Sequence, residues 1–193
     1  MTKLRLSVSL FAAIFAVGAL EVCALPSKAI MPIALTVNMA PQVSPTRHDG
    51  RIQIEDLQKI AGPLWRGKLT YLDYSANTLR SIPSNLLVTA SKEDSAIWLW
   101  SYGYDDEPHA NAKDGIKLSD DGRQLGKENL VERRITDNGT LILITSMSGQ
   151  DDNRPAQFRF TYTITDHAFT RQKEVKLDSG GDYFVRHTYA WTR

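Results

Sequence analysis

From Leu64 to the end of the chain the side chains alternate with a period of two, and this leaves few folds open. Trp65 to Tyr74, Leu86 to Ser91, Ala96 to Tyr104, Leu130 to Thr136, Thr140 to Met147, Ala156 to Thr165, Phe169 to Leu177 and Tyr183 to Thr192 each read as a strand. A short further strand is expected near Ile116 to Leu118. Asp137-Asn138-Gly139 signals a hairpin, because a type I′ turn needs the positive φ that Asn and Gly tolerate. Asp178 to Asp182 and Asp166-His167 mark two more corners. The expected fold class is all-β: an antiparallel up-and-down meander closing into an 8-9 stranded barrel, since closure removes the edges along which a sheet aggregates.

One short helix precedes the strands. Over Arg51 to Ala61, Ile52, Leu57 and Ile60 are interleaved with Glu55, Asp56 and Lys59, and Gly62-Pro63 ends the pattern. Within the strands, alternation predicts which side chains point inward. Phe158, Phe160, Tyr162 and Ile164 share a face, as do Trp98, Trp100, Tyr102 and Tyr104, and as do Tyr183, Val185, His187, Tyr189 and Trp191.

The first 29 residues read as an export signal. Lys3 and Arg5 form a positive n-region, and Leu6 to Leu20 is an apolar run too short to span a bilayer and followed by Glu21. Small residues allow cleavage after Ala24 or after Ala29, and either cut removes Cys23. A periplasmic or secreted location is expected, with no disulfide in the mature chain and no membrane span left after cleavage. Pro32, Pro41 and Pro45 mark residues 30–50 as a flexible leader, which makes 51–193 a single barrel domain. Removing Lys3, Arg5 and Lys28 from 23 basic residues, and Glu21 from 22 acidic ones, leaves 20 against 21. That balance offers no electrostatic footprint for nucleic acid.

The short helix, the Gly62 and Trp65 pair at the first strand and the long meander together resemble the lipocalins and their calycin relatives. Thr165-Asp166 stands at the corner where that family carries Thr-Asp-Tyr, with His167 in place of the Tyr. The Gly-to-Trp spacing is one residue longer than the family's. Arg186 stands on the last strand, where the family places an Arg across the first-strand Trp, so the resemblance implies that Trp65 and Arg186 close the barrel. It also implies binding of a small apolar or amphipathic ligand, lined by Trp98, Trp100, Tyr102, Phe158, Phe160, Tyr162, His187, Tyr189 and Trp191.

The bland alternative is that these rings fill a narrow barrel. The protein would then be a structural or interaction module whose partner is another envelope protein. His187 could serve as a ligand or base, but no second histidine or carboxylate stands at ligand spacing to it, so a core histidine is expected. His109, beside Asp105, Asp106 and Glu107, reads as a solvated turn. Asp120-Asp121-Gly122 and Asp151-Asp152-Asn153 lack the alternation of a calcium loop and read as turns, and Asn138-Gly139-Thr140 fits a glycosylation sequon whose letters the hairpin already requires. No nucleophile elbow, phosphate loop or zinc helix is present, and neither cofactor nor metal is expected. An enzyme would need His187 beside a strand carboxylate such as Asp73 or Glu174 in one pocket.

Overall fold

The computed structural model describes residues 50–193; the expected export signal, its cleavage positions and the leader up to residue 49 lie outside the described residues. A single helical turn, α1 (Ile54–Gln58), leads into β1 (Trp65–Asp73), β2 (Thr78–Ala90), β3 (Ile97–Gly103) and β4 (Ala112–Lys117). Then follow β5 (Gln124–Leu125), β6 (Glu128–Ile135), β7 (Leu141–Asp151), β8 (Arg154–Ile164), β9 (Ala168–Leu177) and β10 (Phe184–Thr192). All pairs are antiparallel between chain neighbours, and β10 returns to β1 in the register Arg66 to Thr192 through Tyr71 to His187. The remaining edges, β4 and β5, meet at a bridge between Leu118 and Leu125, where the Gly126 N–H donates to the Lys117 carbonyl at 2.7 Å. The result is a nearly closed up-and-down barrel.

Ten strands replace the expected eight or nine, and the differences have local causes. β2 begins at Thr78, eight residues earlier than its apolar pattern, and runs past the end of β3, whose Gly103 pairs with Asn85. Pro83 therefore sits on a one-sided edge where no neighbour requires its missing N–H. β7 extends to Asp151 through polar residues, because Asp152 and Asn153 at φ 51° and 60° make a two-residue turn of the primed kind. The Asp137-Asn138-Gly139 hairpin forms, but only Gly139 has positive φ. The Asn138 side chain instead accepts hydrogen bonds from the hydroxyls of Thr136 and Thr140. A bulge between Val185 and His187 shifts the face of β10, so Phe184 turns inward and Val185 outward, against simple alternation.

The barrel has a packed end and an open end. At the packed end Trp65, Trp100, Tyr162, Phe169 and Trp191 are fully buried. Phe169 is their hub, with ring centroids 5.2 Å from Trp191 and 6.0 Å from both Trp65 and Trp100. Ile52, Leu57 and Ile60 seal this end from below. Asp56 of α1 accepts two hydrogen bonds from Arg133 of β6, at 2.7 and 2.8 Å, and one from its own helix start at the Gln53 N–H.

Trp65 donates its indole N–H to the Ile60 carbonyl at 2.8 Å. The cation across its ring is Arg193, 4.2 Å from the centroid, and not Arg186. Arg193 also donates to the carbonyls of Lys59, Ala61 and Asp166, tying the last residue to the segment after α1, whose carbonyls have no helical partner. Arg186 stands near the start of β10, level with Leu72 at the far end of β1, and lies over Tyr74 at 4.1 Å. Gly67 lets β1 and β10 cross closely, since a Cβ there would lie 1.9 Å from the Ala190 carbonyl oxygen.

Candidate functional site

The open end contains a cleft of about 430 Å³. One wall is apolar: Leu69 and Tyr71 from β1, and Ile82 opposite Leu69 on β2. The segment after β3 contributes Tyr104, Glu107 and Ala110, and the Tyr104 hydroxyl is hydrogen-bonded to that of Tyr189 at 2.7 Å. The other wall is charged, with Asp151 at the end of β7, Lys173 on β9, and Arg186 and His187 on β10. Lys173 and His187 stand directly opposite in the β9–β10 register. Tyr74 donates to Asp151 at 2.6 Å, and Arg186 donates to Asp151 at 3.4 Å and to the Leu72 carbonyl.

Beneath the cleft lies a buried polar layer. Glu128 accepts from Tyr162 at 2.7 Å, from Arg171 at 2.8 Å and from the Thr145 hydroxyl, while Arg171 also donates to the Tyr162 hydroxyl at 3.0 Å. Arg171 and Lys173 rest on aromatic faces, at 4.5 Å from the Phe160 centroid and 3.7 Å from the Phe158 centroid. A Cβ at Gly149 would strike the Phe158 ring at 2.5 Å, so glycine there lets the ring lie flat under the ammonium.

This environment governs protonation. Burial pushes His187 down to about 3, aided by the nearby charges of Arg171, Lys173 and Arg186, so it is neutral across the physiological range. Burial also lowers Lys173; Asp151 opposes the shift and Arg186 and Arg171 add to it. Tyr102 is pushed up to about 12, chiefly by burial, and Tyr74 is raised by burial and by its hydrogen bond to Asp151.

The expected ligand-lining residues separate into two groups. Trp98, Trp100 and Tyr162 are buried in the packed half, and Trp191 is stacked on Tyr189 at 4.8 Å. Tyr102 packs between Trp100, Tyr189 and Trp191, while Phe158 and Phe160 lie beneath the two cations. His187 lines the cleft, with Arg186 beside it. Sequence reasoning missed Leu69, Tyr71, Ile82, Asp151 and Lys173. A usable signal was present on β9, where Arg171 and Lys173 interrupt the face that Phe169 and Val175 mark as inward.

The carboxylates considered for an acid-base pair lie elsewhere. Glu174 is bonded to Arg159 at 2.7 and 2.8 Å, and Asp73 to Ser75 and Arg80 at the rim. The carboxylates that share the cleft with His187 are Asp151, engaged by Tyr74 and Arg186, and Glu107, exposed on the segment after β3. A second, larger hollow of about 640 Å³ lies over the Ser119–Gln124 turn. Its Ser119 hydroxyl and Asp121 carboxylate are occupied by the turn's own N–H groups. Among the described residues no group of three or more His, Cys, Asp or Glu is placed to hold a metal ion. Compared with known proteins, the chain matches no family model and no curated sequence.

Proposed function

We propose that this is an exported, lipocalin-like binding protein that takes a small amphipathic molecule into the mouth of its barrel. The observation that carries the reading is the cleft of about 430 Å³, within the range of small-molecule sites, where an apolar stretch of lining adjoins a charged one. Export is supported by the n-region and apolar run of the first 29 residues. Lipocalin likeness is supported by an arginine crossing the first-strand tryptophan at the helix-closed end, a role filled by Arg193 over Trp65.

The packed half favours a second reading, a largely filled barrel serving as an interaction module of the envelope, because its rings leave the ligand only the mouth. Native mass spectrometry of the protein purified without detergent separates the two. A persistent added mass that is lost on denaturation supports the ligand reading; a bare chain after incubation with a library of amphipathic molecules supports the module.

A further inference from the structure

Charge pairing inside the barrel is incomplete at one place. Glu128 is matched by Arg171 at 2.8 Å, and Asp151 by Arg186 at 3.4 Å and by Tyr74. Lys173 is half-buried, lines the cleft and makes no ion pair among the described residues; its ammonium has the Phe158 face at 3.7 Å. Opposite it, His187 Nε2 is buried without a hydrogen-bond partner. A partly desolvated ammonium with no ion pair and a buried unpaired ring nitrogen both cost free energy, and the two stand opposite each other in the same cleft.

We infer that the molecule bound in the mouth is an amphipathic anion, with its acid group between Lys173 Nζ and His187 Nε2 and its apolar body along Leu69, Tyr71 and Ile82. This rests on the mouth being the ligand site. An anion supplies the ion-pair partner that Lys173 lacks and an acceptor for an N–H on neutral His187, whose other tautomer would leave Nε2 unsatisfied. The remaining carboxylates do not block this arrangement. Asp151 is held by Arg186 and Tyr74, and Glu107 is exposed on the outer rim. A cationic ligand would meet Lys173 and Arg186 together and would have to displace Arg186 from Asp151. The lowered proton affinity of Lys173 agrees with a site whose counter-charge arrives with the ligand.

Two fluorescent probes with the same rings test the inference: 1-anilinonaphthalene-8-sulfonate, an anion, and the neutral N-phenyl-1-naphthylamine. The full chain is titrated with each, and decanoate competition reports whether a carboxylate uses the same place. The expected result is at least tenfold tighter binding of the sulfonate, displaced by decanoate. Lys173→Met should abolish that preference and Lys173→Arg should retain it, with a cooperative urea unfolding transition showing that each variant is folded. Equal affinities in the unaltered protein, or a sulfonate preference that survives Lys173→Met, would overturn the anion inference and leave the mouth as the site. Binding of neither probe would overturn the mouth reading and the inference with it.

Discussion

Replacing Arg133 with Met would remove one half of the ion pair that fastens α1 beneath the barrel. Asp56 and Arg133 are 2% and 6% exposed, and the guanidinium meets both carboxylate oxygens at 2.7 and 2.8 Å. Methionine occupies most of the arginine volume, so the dominant loss is electrostatic, with Asp56 left buried and still accepting from the Gln53 N–H. Removing one partner of such a pair costs about 3–5 kcal/mol. A domain of about 150 residues has an unfolding entropy of about 0.3 kcal/mol/K, so Tm should fall by about 10–15 °C at pH 7. The double variant Asp56→Leu/Arg133→Met removes both charges and should recover most of the loss, short of about 1 kcal/mol for the unpaired Gln53 N–H. Differential scanning calorimetry on the four proteins of this cycle gives the coupling. A shift below about 3 °C for the single variant, or a double variant less stable than either single one, would refute the reasoning.

Gly67→Ala should destabilise far more than a helix-propensity change, because its Cβ would lie 1.9 Å from the Ala190 carbonyl and force β1 away from β10. Thermal unfolding compared with Gly139→Ala, where the new Cβ meets nothing within 4 Å and only positive φ opposes it, should show the larger loss at Gly67. His187 makes stability depend on pH with a definite sign. Its folded pKa of about 3 lies below the unfolded value near 6.5, so its contribution is complete above about 6.5 and is lost as pH falls towards 3, at up to about 1.4 kcal/mol per unit. Asp94 and Glu174, whose pKa values are lowered by their hydrogen bonds, become costly only below about pH 4.5. Urea midpoints between pH 7.5 and 4.5 should therefore decline in the unaltered protein and flatten in His187→Gln. Parallel slopes would contradict a buried neutral histidine.

The strands were readable wherever one face is apolar and the other polar, as on β8, where Phe158, Phe160, Tyr162 and Ile164 all face inward. They were not readable where pairing depends on a neighbour. The first half of β2 shows no clean alternation and contains Pro83, and β1 alone makes it a strand. β5 is two residues held by β6 and by the Leu118 bridge. Val185 was misplaced because a bulge changes facing without changing letters. Arg186 was placed across Trp65 because it shares the last strand with the end that reaches that ring, but it stands seven residues before Arg193, a distance of about 23 Å along an extended chain. The mouth was illegible because its wall combines β1, β2, β7, β9 and β10, and only closure brings Leu69, Asp151 and Lys173 to one cleft. Inward cations on β9 were the visible sign, masked by the habit of reading charge as solvent-facing.

The most direct test is a methyl-resolved NMR titration of the protein with decanoate. Ligand in the mouth should shift the methyl signals of Leu69, Ile82 and Ala110, with little change at Leu141, Leu143 and Ile164 in the packed half. Shifts confined to exposed outer-face residues such as Leu79 and Val131, or none at millimolar decanoate, would contradict a binding site in the mouth of the barrel.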